Sequence, residues 1–435
     1  MRIAGKSAAS IFSSIRELAQ TGALTPGDAL PTVRDLARQL EVNRNTVAAA
    51  YQRLVSAGIA VTRGRQGTFI REPLQSGEQE GSAHPSPLVD AASGNPDPAQ
   101  LPALLEYLDA GRYSTRLYGE AVINPELEPL IRDWFQPDCA NPYEVDITHG
   151  AVDAMERLLT TWLVPGDRVI IEDPCFLGSM NTLRIKGFQM QPVALDEYGL
   201  QPEPLKEALA SGARALICTP RAHNPTGCSL DARRAREIKK ILRSYPHVLV
   251  IEDDHFALLS GRRYFSITPK GQHNWAILRS VSKCYGPDLR IAFVASDPET
   301  SRRLRMRLAS GTTWVSHILQ NIVTQLFTSS RAQQQLAAAK DTYQHRRDAC
   351  IRLLQEKHIP VLQPADGLNI WLPLTTDAAR ITALMAQRGW LLRNGESFYA
   401  GEIRQALRVT VAALSFAQIE KFAEDLQACL ASQED

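Results

Sequence analysis

Apolar and polar positions near the start of the chain repeat with the periods of three helices and a hairpin. Apolar side chains recur every three or four residues over 10–20, 33–40 and 44–57, which predicts three helices that each bury one face. Two short runs, 59–63 and 68–71, have the character of strands, with a glycine-containing turn between them. The pattern therefore predicts a small domain of three helices followed by a two-stranded hairpin.

The second and third of these helices are close together along the chain. Thr32 is a predicted N-cap for the second, and Asp35 stands where it would complete a capping box. The three residues from Glu41 to Asn43 are a predicted tight turn, after which the third helix should bury Val47, Tyr51, Leu54 and Val55. Two helices joined by so short a turn fit a helix-turn-helix.

Beyond residue 87, short continuous apolar runs alternate with helical patterns. Helical stretches such as 232–242 separate several of these runs, and a final helix is predicted near 415–430. The order β-α-β-α predicts a doubly wound α/β fold. The runs that predict inner strands of a parallel sheet are 169–171, 215–218, 248–251 and 276–278.

The residues between the two patterned regions differ in composition from both. Residues 72–87 are polar, rich in glycine, serine and proline, and without apolar period, which predicts a flexible linker. As a coil, this stretch would average roughly 20–24 Å end to end. The predicted domains are therefore 1–71, the linker, and 88–435, the last with a smaller C-terminal α+β part from about residue 330.

Composition limits the classes of protein this chain can belong to. Hydrophobic residues make up 44% and charged residues 22%, and no apolar run is long enough to span a bilayer. The first residues lack the pattern of a signal peptide. Seven cysteines without a Cys-x-x-Cys pair indicate reduced thiols in a cytoplasmic protein, and they argue against a zinc site or a disulfide framework. We expect no metal.

The net charge of +1 conceals an asymmetry along the chain. Residues 1–71 hold ten Lys and Arg against four Asp and Glu, a net charge of +6, which leaves −5 for the remaining residues. A basic domain on a mildly acidic one is expected to meet a polyanion.

The predicted third helix carries side chains suited to reading DNA. In a helix-turn-helix the N-terminal residues of the second helix of the motif enter the major groove, and here these are Arg44, Asn45 and Thr46. Arg63 and Arg65 on the hairpin suit phosphates or a minor groove. The plainer alternative is a three-helix module that binds protein and leaves its arginines solvated.

A second set of residues suits an aldehyde cofactor. Lys283 follows a predicted strand, and a lysine there can form a Schiff base with pyridoxal 5′-phosphate (PLP). A carboxylate at a strand end, Asp253 or Asp254, can keep the ring nitrogen protonated. Asn224 can donate to the ring hydroxyl, and Phe176 can stack on the ring.

A phosphate group needs donors, and the sequence offers several close to predicted strand ends. Backbone N–H groups that open a predicted helix point toward an anion, and an arginine adds a charge-assisted fork. Each feature alone has an ordinary alternative: a solvated lysine, a plain turn, or a carboxylate that caps a helix. The candidate phosphate ligands are Gly150, Ala151, Val152, Ser280, Ser282 and Arg290.

The basic domain resembles a known family. Residues 30–37 (LPTVRDLA), 42–47 (VNRNTV) and 67–70 (GTFI), in that order, are similar to the GntR winged helix-turn-helix. The resemblance implies that Arg34, Arg44 and the wing at Gly67 contact double-stranded operator DNA. Thr32 and Asn43 stand where the family usually has serine.

Residues from about 88 to 435 resemble the fold-type I PLP-dependent aminotransferases. The resemblance assigns the pyridine-binding carboxylate to Asp253, the Schiff-base lysine to Lys283 and the phosphate arginine to Arg290. It also assigns the substrate-carboxylate arginine to Arg408 and a tyrosine that crosses between subunits to Tyr118.

This sequence departs from the aminotransferase pattern at several positions. His255 replaces a tyrosine near the ring hydroxyl, and Ala151 and Val152 replace Ser-Gln at the phosphate. These departures leave cofactor binding in place but weaken the expectation of efficient turnover. The remaining departures are Ile123 for glycine, Glu128 for arginine and Ala292 for glycine.

A GntR domain joined to an aminotransferase-like domain is the layout of the MocR subfamily of bacterial regulators. The resemblance implies a homodimer in which each DNA-binding domain crosses to the other subunit. The leading hypothesis is a transcription factor whose effector is PLP, or PLP joined to an amine or amino acid, and whose targets are genes of vitamin B6 or amino acid metabolism. The alternatives are a working aminotransferase with an accessory DNA-binding domain and, third, a structural protein with a vestigial site.

Overall fold

The computed structural model describes residues 3–71, 77–81, 86–109, 111 and 114–432. It divides into two compact units, Met1–Ser76 and Gly77–Asp435, which we call the head and the body. None of the described helices combines the length and apolar character needed to cross a membrane.

The head contains the three helices and the hairpin that the sequence predicts. Its hydrophobic core forms where the apolar faces of all three helices pack against the hairpin, around Ile11, Leu36 and Val47. Val55, predicted to be buried, is 38% exposed because it lies one position past the buried face at Leu54. The elements are α1 (Ala8–Gln20), α2 (Val33–Leu40), α3 (Arg44–Ser56) and the antiparallel strands β1 (Ala60–Thr62) and β2 (Thr68–Ile70).

The predicted capping box at α2 is half formed. The Thr32 hydroxyl accepts from the Asp35 backbone N–H at 3.2 Å, as an N-cap does. The Asp35 carboxylate accepts from that same hydroxyl at 2.6 Å instead of from the Thr32 backbone. Asn43, in the place of the family's serine, caps α3 through the Asn45 N–H at 2.8 Å.

The body is built on a large sheet with helices on both faces. Its strands are β3 (Val89–Asp90), β4 (Glu144–Thr148), β5 (Arg168–Asp173), β6 (Gln189–Asp196), β7 (Gly199–Leu200), β8 (Ala215–Cys218), β9 (Leu249–Asp253), β10 (Trp275–Ser280), β11 (Ala292–Ser296), β12 (Asn369–Pro373), β13 (Trp390–Leu391), β14 (Arg393–Asn394) and β15 (Ala406–Thr410). Its helices are α4 (Leu127–Phe135), α5 (Ala151–Trp162), α6 (Leu177–Lys186), α7 (Pro202–Ala210), α8 (Ala232–Leu242), α9 (Ser282–Tyr285), α10 (Pro298–Ala309), α11 (His317–Thr328), α12 (Ser330–Glu356), α13 (Ala378–Gln387) and α14 (Phe416–Ala431).

The large sheet has the order β4-β11-β10-β9-β8-β5-β6-β7. The central pairs from β10 to β6 are parallel, as predicted, whereas β11 runs antiparallel to both β10 and β4. Alternate residues of the inner strands enter two different cores: Leu216 and Val250 pack on one face, and Ile217 and Ile251 on the other. Because both faces of the sheet are buried, successive residues of these strands are all apolar and do not alternate with polar residues.

The smaller part of the body has its own core around the sheet β12-β15-β14. The predicted boundary near residue 330 falls at the start of α12, but α12 belongs to both parts. Tyr343 packs with the large sheet, and Leu354 packs in the smaller core. Strand β3, far earlier in the chain, also joins this part through parallel pairing with β13.

The predicted linker is not free along its whole length. Residues 72–76 and 82–85 lie outside the described residues, but Gly77–Gly81 belongs to the body. We call Gly77–Gly81 the strap. Its backbone and side chains bond to Asn181, Arg393 and Arg408, so this part of the linker is a bound segment and not a coil.

Candidate functional site

A cavity of about 320 Å³ opens beyond the carboxyl ends of the parallel strands. Lys283 follows β10, Asn224 follows β8 and Phe176 follows β5, whereas Asp253 is the last residue of β9. Ligands of open α/β sheets bind at this edge. The predicted residues that line the cavity are Ala151, Val152, Phe176, Asn224, Asp253, His255, Ser280, Ser282, Lys283 and Arg290, and those that the sequence did not identify are Glu80, Asn95, Pro96 and Pro287.

The two carboxylates at the end of β9 have different surroundings. Asp254 is fully buried and accepts from Arg221 at 2.7 and 2.9 Å and from Arg279 at 2.9 Å. Asp253 lines the cavity, and its buried Oδ1 has no hydrogen-bond partner among the described residues. Only Asp253 therefore has an oxygen available to a ring nitrogen.

Burial, together with the neighbouring carboxylates of Asp254 and Glu172, raises the pKa of Asp253 to about 7 against a lowering effect of His223. A carboxyl group in this state would gain from a cationic partner, because an opposite charge favours its ionised form. A protonated pyridine nitrogen is such a partner, so the donor set fits PLP at this position.

A buried pair that the sequence reading did not identify lies beside Asp253. His223 Nε2 lies 3.3 Å from Glu172 Oε2, and its Nδ1 lies 2.7 Å from the hydroxyl of Thr226. Burial alone would lower the pKa of His223, but Glu172 and Cys228 raise it to about 10. In the sequence, the signal that could have identified His223 as a site residue was its position immediately before Asn224, a predicted cofactor ligand.

The opposite end of the cavity is shaped for an anion. Gly150 precedes α5 with a φ of +96°, and a Cβ there would lie 2.9 Å from Arg290 Nη2. Glycine at this position therefore lets the arginine approach the start of the helix, where unpaired N–H groups point outward. Ser280 and Ser282 bond to each other at 3.0 Å on the same wall.

Lys283 lies between the two ends. Its Nζ donates to the carbonyl oxygen of Gly94 at 2.7 Å. Burial lowers its pKa and Arg408 lowers it further, against a raising effect of Glu80. A lowered pKa increases the share of neutral amine, which is the form that attacks an aldehyde.

His255, where aminotransferases usually have tyrosine, also lines the cavity. Its Nδ1 lies 3.9 Å from Asp253 Oδ1. Burial lowers the pKa of His255 to about 4, with Lys283 acting in the same direction, so the imidazole is neutral at pH 7. A neutral imidazole can offer one donor to a phenolic oxygen, as a tyrosine hydroxyl can.

Arg408 is fully buried and already holds a carboxylate of this chain. Its Nη1 lies 2.6 and 2.8 Å from the two oxygens of Glu80, a strap residue, and donates to Asn224 Oδ1 at 3.1 Å. Asn224, expected near a ring hydroxyl, donates its amide to Glu80 at 2.9 Å. Arg408 also donates to the carbonyl of Ala92.

Two family models match the chain. Bacterial regulatory proteins of the gntR family match residues 7–70, and aminotransferase class I and II matches residues 86–426. The vitamin B6 salvage pathway transcriptional repressor PtsJ of Salmonella typhimurium is 47% identical over 98% of this chain and 99% of its own length. The chain belongs to the MocR subfamily of GntR transcriptional regulators.

Other MocR-type and aminotransferase proteins support this assignment. The pyridoxine biosynthesis transcriptional regulator PdxR of Corynebacterium glutamicum is 27% identical over 87% of this chain and 86% of its own. A kynurenine aminotransferase of Pyrococcus horikoshii superposes with a TM-score of 0.74, covering 80% of this chain and 92% of its own at 21% identity. The body of this MocR protein therefore has the fold-type I aminotransferase fold.

Tyr118 is not part of the cavity of its own chain. It is 90% exposed, packs edge-on against Trp314 at 5.4 Å and lines a separate cavity of about 490 Å³ with Arg116 and His317. The assignment of Tyr118 to a cofactor pocket thus depends on a second subunit, and it stays a prediction.

In the head, the predicted DNA-contacting residues lie on the surface. Arg34, Arg44 and Asn45 are exposed, and Thr46 is half-buried. The exposed Arg63 packs over the ring of Phe69 with its Cζ 5.1 Å from the ring centroid, next to Gly67, whose φ of +106° shapes the turn. The side chain of Arg65 lies outside what the structure describes.

Proposed function

We propose that this transcriptional regulator binds PLP through Lys283 and that the cofactor changes its affinity for operator DNA. The observation that carries the proposal is the unpaired, buried Oδ1 of Asp253, a residue that lines the same cavity as Lys283. Leaving a buried polar atom without a partner costs free energy, so this oxygen indicates a ligand with a complementary donor.

Each part of the cavity has a role toward that ligand. PLP supplies an aldehyde that can bond covalently to an amine, together with a basic ring nitrogen and a phosphate. Lys283 supplies the amine, Asp253 accepts from the ring nitrogen, and Arg290 with the start of α5 binds the phosphate. His255 and Asn224 orient the ring hydroxyl, and Phe176 packs on the ring face.

The head reads the operator in this proposal, and the protein acts in the cytoplasm as a homodimer with exchanged heads. Arg44, Asn45 and Thr46 at the start of α3 contact base edges, and Arg34, Arg63, Arg65 and the wing at Gly67 contact the backbone or minor groove. A two-fold dimer would bind two half-sites. Tyr118 would reach the cavity of the partner subunit.

The regulated genes belong to vitamin B6 metabolism in this proposal. The Salmonella relative, similar along nearly the full length, is named as a repressor of the vitamin B6 salvage pathway. A protein that holds PLP covalently can report on its supply, because occupancy follows the concentration of the cofactor. We propose repression of such genes for this chain as well.

The test uses the full-length protein and an operator selected by it from a random duplex library. PLP is added, borohydride fixes any covalent adduct, and mass spectrometry locates it. Operator affinity is measured with and without PLP. We expect an adduct on Lys283 and an affinity change of at least fivefold. An unchanged affinity at full occupancy of Lys283 would refute a PLP-responsive regulator.

A second candidate function is transamination, because Lys283, Asp253 and Arg408 are all present. The same sample is incubated with L-glutamate and pyruvate while the formation of L-alanine is followed. We propose that catalysis is not the function of this chain and expect no sustained turnover, since Arg408 already pairs with Glu80. Many turnovers per protein chain would favour the enzyme.

A further inference from the structure

The strap, Gly77–Gly81, is fixed to the body on both sides of Glu80. On one side, Asn181 accepts from the Gly77 N–H at 3.1 Å and donates to the Glu78 carbonyl at 2.9 Å. On the other side, the Gly81 N–H donates to the Ser93 carbonyl at 3.0 Å. Arg393 bonds to both the Glu78 carboxylate and the Gly81 carbonyl at 2.9 Å. The backbone therefore delivers Glu80 to one defined place.

That place is the end of the cavity opposite the phosphate ligands. Glu80 lines the cavity together with Lys283, and its carboxylate is bound by Arg408 and the amide of Asn224. A Cβ on Gly94, whose carbonyl accepts from Lys283, would lie 2.6 Å from Glu80 Oε2 and 3.1 Å from Arg408 Nη2, so a side chain there would have to displace this ion pair. The fit around this carboxylate is close.

The carboxylate of Glu80 is ionised in this position. Burial alone would raise its pKa, but the charge and hydrogen bond of Arg408, the charge of Lys283 and the hydrogen bond of Asn224 together lower it. Arg408 in turn is fully buried, and Glu80 is its counter-ion. Removing one member of a buried pair leaves the other uncompensated, so Arg408 would take another carboxylate if Glu80 left.

We propose that Glu80 is a tethered ligand that fills the carboxylate site of Arg408, and that the effector joining PLP is a small carboxylate, most simply an α-amino acid, that displaces the strap. This inference rests on the proposed role of Lys283, since an α-amino acid would place its amino group near that lysine when its carboxylate is on Arg408. In the sequence the strap lies between the head and the rest of the body, so its release would move the first body-bound residue further along the chain from the head.

The tether also sets the concentration range of the response. A carboxylate attached by a short flexible segment acts at an effective concentration in the millimolar range or above. A free carboxylate must exceed this competition before it binds. The Arg408 site would therefore bind carboxylates that are present at millimolar concentration and would not bind those present at much lower concentrations.

The strap contains its own matched control. Glu78 is two residues from Glu80 and also pairs with an arginine, but its side chain is 62% exposed against 19% for Glu80. An exposed ion pair contributes little. Glu78→Gln and Glu80→Gln each remove one negative charge from the same segment, but only Glu80→Gln empties the Arg408 site.

The test titrates full-length, PLP-treated, borohydride-fixed protein with propionate and follows binding by NMR saturation transfer. Propionate has a carboxylate but no amino group, and the reduced adduct on Lys283 contains no aldehyde, so the titration reports carboxylate binding without a covalent reaction. We expect Glu80→Gln to lower the dissociation constant for propionate at least tenfold and Glu78→Gln to change it less than twofold. Equal or weaker binding by Glu80→Gln would overturn the proposal.

A second measurement uses the unmodified chain, so it does not depend on the folding of a variant. A glutamate-specific protease should cleave after Glu78 and Glu80 faster when propionate is saturating, with mass spectrometry identifying the cut. Unchanged cleavage would count against displacement. If no PLP is found on Lys283 of these samples, the proposed function fails, and the propionate constants of the cofactor-free proteins still decide whether Glu80 competes for Arg408.

Discussion

The two ends of the body's cavity are built from similar chemistry but are in different states. At the phosphate end, Arg290 and the start of α5 line the cavity, and none of the described carboxylates forms an ion pair with Arg290. At the carboxylate end, Arg408 is fully buried and paired with Glu80. Both ends have an arginine that can bind an anion, but of the two only Arg408 pairs with a described carboxylate, whereas Arg290 donates to the His149 carbonyl at 3.3 Å.

This difference separates binding a cofactor from processing a substrate. An aminotransferase must open both ends, one for PLP and one for each incoming amino acid. Here the first end offers Arg290 and the start of α5 to a phosphate, whereas at the second end an incoming carboxylate has to displace Glu80 from Arg408. A site of this kind is suited to a sensor, in which occupancy rather than turnover carries the information.

The largest effect should come from the residue between the two ends. Lys283→Ala removes the only amine placed for the aldehyde among the described cavity residues, so covalent attachment of PLP should be lost entirely. Lys270→Ala removes an exposed lysine of the same body and should label as the unmodified protein does. Mass spectrometry after borohydride reduction measures both. A full-stoichiometry adduct in Lys283→Ala would mean that another lysine holds the cofactor.

The next largest effect concerns Asp253, the carboxylate proposed to bind the ring nitrogen, in protein that carries no PLP. The pKa of Asp253 is raised to about 7, above the ordinary value of 3.8, so the folded chain favours the protonated form. Holding Asp253 ionised therefore costs stability as the pH rises from about 4 to about 7, by ~1.4 kcal/mol per unit of pKa difference. Asp253→Asn should raise the melting temperature of the PLP-free protein at pH 8, while its affinity for PLP falls.

The pH dependence provides the check on this prediction. Below pH 4 the carboxyl is protonated in both the folded and the unfolded state, so the stabilisation by Asp253→Asn should disappear there. Asp133→Asn, which changes an exposed carboxylate on α4, should show no such dependence. Melting curves from pH 4 to pH 8 test this prediction. A gain in melting temperature for Asp253→Asn that is constant over this range would contradict a buried, protonated Asp253.

A smaller effect is expected at the phosphate end. Arg290→Gln removes a charge-assisted contact of about 1.5–3 kcal/mol, so the affinity for PLP should fall roughly 10- to 150-fold. Pyridoxal, which lacks the phosphate, serves as the control ligand, and its affinity should stay within twofold. Titrations followed by absorbance measure both. An equal loss for the two ligands would mean that Arg290 supports the pocket without binding phosphate.

Local signals in the sequence predicted most of the fold. Helices 33–40 and 232–242 and strand 215–218 have the predicted limits because caps and apolar spacing at these places agree. Asp253, Lys283 and Arg290 were predicted from their positions at or after strand ends and from the resemblance to aminotransferases, and their roles toward PLP stay predictions. Tyr118 shows the limit of a single chain, since its predicted role needs a partner subunit.

Contacts across long sequence separations could not be predicted. Glu80 and Arg408 are 328 residues apart, and the polar composition around Glu80 is typical of a linker, so nothing local indicated a bound segment. The pairing of His223 with Glu172 was missed because it joins the loop after β8 to strand β5, which are distant in the sequence. Buried ion pairs of this kind depend on the tertiary fold, and periodicity carries no information about them.

The last prediction concerns the head, which should act independently of both ends of the cavity. Arg44 is exposed at the first position of α3, so Arg44→Ala should weaken binding to the selected operator by about 1–3 kcal/mol, roughly 5- to 150-fold. Arg53→Ala removes the same charge from the last turn of the same helix and should act mainly through general electrostatics, equally on operator and random DNA. Fluorescence anisotropy with both duplexes separates the two cases. PLP attachment and the propionate constant should be unchanged in each variant, since neither arginine belongs to the body. If Arg44→Ala weakened operator and random DNA alike, Arg44 would contact phosphate and base reading would have to come from Asn45 and Thr46.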